Sequence, residues 1–190
     1  SVVLEGRRVV NNIQRSASLF LVKNIFSFLM SIFSAVFMMT YPLEPSQISL
    51  ISGFTIGIPA FFLAMEPNKS RIKGKFIINV FLRALPAGLT DLIAVGAIVW
   101  CGKVFGLSSA EVATAATMLL CMIGFMVLFK ISEPMNKYRA IVLVGSLIAL
   151  LICGIFFNDL FALSGMSASC ILLFIMFSFA SESMFRWLTL

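Results

Sequence analysis

FTIGIPAFFLAMEPN, residues 54–68, is apolar enough to lie in a bilayer, yet it places Gly57 and Pro59 near its middle and Thr55 just before them. Pro59 has no N–H, so the carbonyl of Thr55, four residues earlier, loses its helical donor. Gly57 allows the backbone to open or another group to approach closely. Ser52 and Thr55, three residues apart, place two hydroxyls on one side. Unsatisfied peptide groups are costly in hydrocarbon, so irregular backbone survives there only inside protein or against a polar cavity. Two readings stand at this point. One is a proline kink of the kind common in membrane helices. The other is a turn unwound to offer peptide and hydroxyl oxygens to a dehydrated cation, because hard cations prefer oxygen ligands.

Outward from this stretch the chain stays apolar. Of 190 residues, 61% are hydrophobic and only 12% are charged, with a mean hydropathy of +1.07. A soluble domain carries roughly a quarter charged residues. Six apolar segments are marked at 17–40, 46–65, 76–101, 110–131, 140–157 and 167–187. Each is near the ~20 residues that cross a bilayer as a helix. Backbone facing lipid must bond to itself, and the alternation and ~10-residue length of barrel strands are missing. The expected fold is all-α: a polytopic transmembrane helical bundle of six helices. EGRRVVNNIQR, polar but rich in helix formers, is expected to extend the first helix as a short cytosolic stalk.

The net charge of +6 does not point to nucleic acid, because the basic residues gather in short linkers and not on a basic, aromatic-studded face. EPNKSRIKGK (66–75) and KISEPMNKYR (130–139) are basic, whereas YPLEPS (41–46) and NDLFALSG (158–165) carry no Lys or Arg. All of the 14 basic residues except Lys23 and Lys103 fall at one face of a six-span arrangement. The excess of positive charge in cytoplasmic loops then puts both ends of the chain in the cytosol. The chain opens SVVLEGRRVV, in a polar helical stretch, as expected of a piece of a longer protein. Cys101, Cys121, Cys153 and Cys170 form no C-x-x-C pair and read as small apolar packing residues. Histidine is absent, which excludes imidazole catalysis and His-ligated metal within this chain.

In the first span Asn24, Ser27, Ser31 and Ser34 recur at helical spacing and form one polar stripe. Small polar residues often only join neighbouring helices. Asn24 is a stronger candidate for an ion site, because a bare amide in hydrocarbon needs partners. Lys23, beside it, either snorkels to the nearby surface or serves as an internal counter-charge. Asp91 in the third span is expected to make a structural hydrogen bond, with ion binding as the alternative. Glu66, Glu111 and Glu133, at span ends, are expected to be solvated.

EGRRVVNNIQRSASLFLVKNIFSF followed by FTIGIPAFFLAMEPN resembles the C-terminal membrane part of a bacterial P-type cation-transporting ATPase, of the branch related to calcium pumps. Glu5, Gly6, Arg7, Asn11 and Asn12 match the pattern with which the stalk leaves the phosphorylation domain. Gly57 and Pro59 match the G-x-P of the sixth membrane helix. The resemblance implies a stalk end at 1–16, an ion-pathway pair of fifth and sixth helices at 17–65, and four supporting helices, the seventh to tenth, at 66–190. It also implies a plasma-membrane location. Asn24 matches the site asparagine of the fifth helix and Thr55 the site threonine of the sixth. Ser27 stands where calcium pumps carry a glutamate, Ser52 where they carry an asparagine, and Ile56 where they carry an aspartate. Ile123 falls near the position of the eighth-helix glutamate. Cation-pathway candidates are therefore Asn24, Ser27, Ser52 and Thr55, with Gly57 and Pro59 as the helix break and Lys23 as the counter-charge.

The phosphorylated D-K-T-G aspartate and the nucleotide domain have no counterpart in this sequence. No catalytic residue is expected in this chain, and ATP with Mg2+ would bind elsewhere in the intact pump. The transported ion is expected to be calcium or another inorganic cation, in fewer copies per cycle than in a two-site calcium pump. A self-contained secondary carrier or channel, or a structural membrane domain whose polar residues only join helices, are the alternatives.

Overall fold

A computed structural model describes residues 2–66 and 76–189, and every regular element among them is helical. α1 runs unbroken over Val2–Val36, so the stalk extension and the first span are one rod. At 1.5 Å per residue its 35 residues reach about 50 Å, well beyond a hydrocarbon core of about 30 Å. It stops short of residue 40 because Met38 adopts a left-handed φ of 50°. The Met39 amide then bonds back to Ser34 O at 2.8 Å and the Met38 amide to Ala35 O, which closes the helix end as a Schellman turn.

The second span has three parts: α2 (Pro45–Ser52), a π-helical turn over Gly53–Gly57, and α3 (Ile58–Met65). α4 (Phe76–Val104) passes through Pro86 without ending, and α5 (Ser109–Ile131), α6 (Lys137–Phe156) and α7 (Ala168–Leu188) follow. Among the described residues, six helices are thus long and apolar enough to cross a membrane, within a few residues of the expected limits. Of the basic linker 66–75, only Glu66 is described; Lys69, Arg71, Lys73 and Lys75 lie outside the described residues. The four cysteines are unpaired, with Cys121 and Cys170 buried.

α5 is the central helix: its apolar window is 67% buried, against 17% for that of α6 at the periphery. α1 lies along α4, and α4 also packs on α5 and α7. Gly88 makes the α1–α4 approach possible, since a β-carbon there would stand 2.6 Å from Ile25 Cγ2. Two apolar clusters form the interior. One joins Leu19, Ile56, Ala84, Ile123 and Phe185; the other joins Phe26, Met30, Val95, Leu119 and Cys170.

Candidate cation-binding cavity

A cavity of about 40 Å³ opens where the two apolar clusters meet, among α1, the second span, α4 and α5. Its walls are mostly apolar, with Lys23, Ser27, Ser52, Thr55 and Asp91 as its polar members. A water needs about 10–15 Å³ of such space, so there is room for a small ion and a water or two.

The second span is widened at this point into a π turn, and not unwound as one of the two readings of the sequence had it. Residues flanking the π turn keep right-handed helical angles, from Ser52 at φ −63°, ψ −38° to Ile58 at φ −61°, ψ −51°. The Ile58 amide bonds to Gly53 O, five residues back. Two carbonyls therefore lose their ordinary donors: Phe54 O because the Ile58 amide has moved on, and Thr55 O because Pro59 has none. Adding one residue to the turn relieves the proline clash while most of the backbone remains bonded. That costs less in an apolar setting than unwinding. Pro59 is buried, whereas Gly57 is exposed and is not part of the cavity wall.

Thr55 is 2% exposed and packs on Gly124 of α5, where a β-carbon would come within 2.9 Å of Thr55 Cβ and Cγ2. Its hydroxyl donates to Ile51 O at 2.6 Å, and that of Ser52 donates to Ile48 O at 2.7 Å. Each hydroxyl proton is thereby turned into its own helix.

The polar stripe on α1 is split. Ser27 lines the cavity and Ser34 is buried, but Asn24 and Ser31 are exposed, and Ser31 donates back to Ser27 O at 2.7 Å. Asn24 is not part of the cavity wall, and Lys23 is. Asp91 does not make the expected structural hydrogen bond: its Oδ1 is buried without a partner. Among the described residues no three His, Cys, Asp or Glu side chains come together as a metal cage.

Beyond α3, Glu66 is not solvated. Its side chain is 10% exposed and is held by Arg15 Nη1 at 3.0 Å and Arg139 Nε at 2.8 Å. Asn136 Nδ2 donates to the same carboxylate at 2.6 Å. Burial pushes the Glu66 carboxyl up, but the hydrogen bonds from Arg139, Asn136 and Arg15 outweigh it and hold the group below the usual glutamate range. Asn12 of α1 donates to Ala64 O at 2.8 Å and to Glu66 O at 3.2 Å, capping carbonyls that the end of α3 leaves open. Tyr138 of α6 donates to Phe62 O at 2.8 Å. Glu111 also does structural work: it accepts from the Ser167 amide at 2.7 Å and from Ser108, tying the starts of α5 and α7. Glu133 pairs with Lys130 on the surface.

A larger groove of about 810 Å³ lies between α5, α6 and α7, but it is apolar, and the charges at its mouth are paired as Lys130–Glu133 and Arg186–Glu182.

A bundle of six membrane-crossing helices, with a π turn and a lysine–carboxylate cavity at its centre, defines a polytopic helical membrane protein built around a buried polar site. No family model matches the chain. A probable cation-transporting ATPase, exp7, of Streptococcus pneumoniae is 35% identical over 153 residues, which are 76% of this chain and 20% of the relative. The calcium-transporting ATPase CtpE of Mycolicibacterium smegmatis is 32% identical over 162 residues, 78% of this chain and 20% of the relative. CtpE of Mycobacterium tuberculosis is 34% identical over 154 residues, 73% and 19% respectively. The chain belongs to the cation-transporting ATPase family, the P-type pumps that its Glu5–Asn12 and Gly57–Pro59 motifs resemble. It spans about a fifth of the length of the curated relatives it matches.

Proposed function

We propose that this chain is the membrane-transport part of an ATP-driven P-type cation pump, and that its cavity lies on the cation's route. The observation that carries the reading is the π turn at Gly53–Gly57, which sets Thr55 in the wall of a cavity shared with Lys23 and Ser27 of the stalk-bearing helix. Residues 17–65 form the ion-pathway pair, 66–190 the supporting helices and 1–16 the end of the stalk. Both ends of the chain lie on the cytosolic side of the plasma membrane. ATP and Mg2+ act on a domain outside this chain, through a phosphorylated aspartate there.

Movement of that domain pulls or tilts α1. Asn12 and Arg15 grip the end of α3 through Ala64, Glu66 and the Arg139 pair, so displacement of α1 is passed to the second span. Ser27 then shifts against Ser52 and Thr55, and affinity for the cation falls on one side of the membrane. Release follows from that difference in affinity between two states. Asn24 acts from the exposed face of α1, where another segment of the intact protein covers it. Calcium is the first cation to try, because two of the relatives bear that name.

The test is cation-stimulated ATPase activity of the full-length protein with a panel of calcium, magnesium, manganese, sodium and potassium. Thr55→Ala and Ser52→Ala should each weaken the half-saturating concentration of the activating ion. If both variants keep the wild-type ion dependence, the cavity is not on the route.

A further inference from the structure

One carboxylate reaches the cavity, and it comes from α4, outside the helix pair expected to carry the ion. Asp91 is 5% exposed, it lines the cavity, and its Oδ1 is buried with no hydrogen-bond partner. A buried carboxylate oxygen left unpaired in an apolar bundle is costly, and needs a reason in the cycle of the protein. The groups beside it supply one. Ser52 and Thr55 spend their hydroxyl protons on Ile48 O and Ile51 O, which leaves their oxygen lone pairs as acceptors. Hydroxyl and carboxylate oxygens together make a donor set suited to a hard cation. Lys23 lines the same cavity and makes no ion pair with Asp91.

We infer that Asp91 is the carboxylate ligand of the transported cation, which it holds together with the hydroxyl oxygens of Ser52 and Thr55, and that the Lys23 ammonium neutralises Asp91 once the cation has left. This rests on the pump reading given above. A charge-balanced cavity results in the absence of the ion, with one positive and one negative group. Cation binding puts a second positive charge near Lys23, so Lys23 competes with the ion for one carboxylate. A small movement of α1 that brings Lys23 toward Asp91 lowers cation affinity, as release requires. Only an interaction that differs between the two states shifts the balance.

The experiment is equilibrium binding of calcium, magnesium, manganese, sodium and potassium, each titrated in turn by calorimetry, to the intact, detergent-purified pump. Asp91→Asn, nearly the same shape, should weaken binding of the bound ion by about tenfold or more, the loss expected when a charged ligand is removed. Lys23→Gln should tighten binding several-fold, and the gain should vanish in the Asp91→Asn, Lys23→Gln double variant. Affinity within twofold of wild type in Asp91→Asn overturns the inference and leaves the pump reading intact. Where Asp91→Asn fails to fold, Lys23→Gln decides: unchanged or weaker binding overturns the pairing. A wild-type protein that binds none of the five cations overturns the pump reading, and this inference with it.

Discussion

Arg139 Nε donates to both carboxylate oxygens of Glu66, at 2.9 and 2.8 Å, and so fastens the start of α6 to the end of the second span. The same guanidinium donates from Nη1 to Ser132 O at 3.1 Å and to Pro134 O at 2.7 Å, which brings the α5–α6 loop into the joint. Arg15 completes the cluster from α1. Removing one partner of a buried pair leaves an uncompensated charge, which costs about 3–5 kcal/mol. Glu66→Ala should therefore lower the unfolding midpoint of the purified protein clearly. Arg139→Lys should lower it too, because one ammonium cannot bond the Glu66 carboxylate and the two loop carbonyls at once as the guanidinium does. Thermal unfolding in one detergent checks both. A Glu66→Ala protein as stable as wild type would show that the cluster is not a structural joint.

Glu66 also sets a direction for pH dependence. Its folded value lies below the ordinary glutamate range because the arginine and asparagine hydrogen bonds outweigh burial. The unfolded group, near about 4.3, binds protons more readily than the folded one. The stabilisation is thus fully present above the unfolded value and disappears as pH falls through the folded one. Unfolding midpoints measured from about pH 6 down to about pH 3 should fall more steeply in wild type than in Glu66→Gln, which cannot titrate there.

Gly124 and Gly53 should respond in opposite ways to alanine. At Gly124 the added carbon meets Thr55 Cβ and Cγ2 at 2.9 Å, close to the backbone, where little can give. Overpacking of this kind costs about 1–3 kcal/mol. The same push moves Thr55 in the cavity wall, so ion-dependent ATPase activity should weaken with stability. At Gly53 nothing lies within 4 Å and φ is −63°, so Gly53→Ala should be neutral or stabilise by up to about 1 kcal/mol. Paired unfolding curves for the two variants are sufficient to check this.

Pro59→Ala returns an N–H to the position that leaves Thr55 O without its ordinary donor. The π turn can then relax toward an ordinary α register. We expect unchanged or higher thermal stability, together with a several-fold loss of cation affinity in the full-length protein. Retention of wild-type affinity would show that the widened turn matters for packing alone.

Much of this molecule was legible in its residues. The limits of the six helices fell within a few residues of expectation, and Pro59 marked the place where the second span departs from α geometry. The form of that departure was not legible, because a proline clash can be met by a kink, an unwound turn or an extra residue in the turn. Asn12 belonged to a recognisable motif, but that it caps the end of α3 appeared only in the folded chain. Glu66 read as a span-end charge facing water, since nothing local shows that Arg15 and Arg139, 51 and 73 residues away in sequence, converge on it.

By itself the sequence determined that this chain is a set of membrane-crossing helices, and roughly where each begins and ends. Transfer of a segment into hydrocarbon depends on that segment's own length and polarity, and its hydrogen bonds are made within it. Tertiary structure alone decided which face of each helix meets which neighbour. Lys23 and Asn24 are one residue apart, about 100° around an α-helix, and only the packing of α1 on α4 and the second span turns Lys23 into the cavity and Asn24 out of it. Asp91 reaches the same cavity by the same means, through helix–helix contacts between residues far apart in the chain.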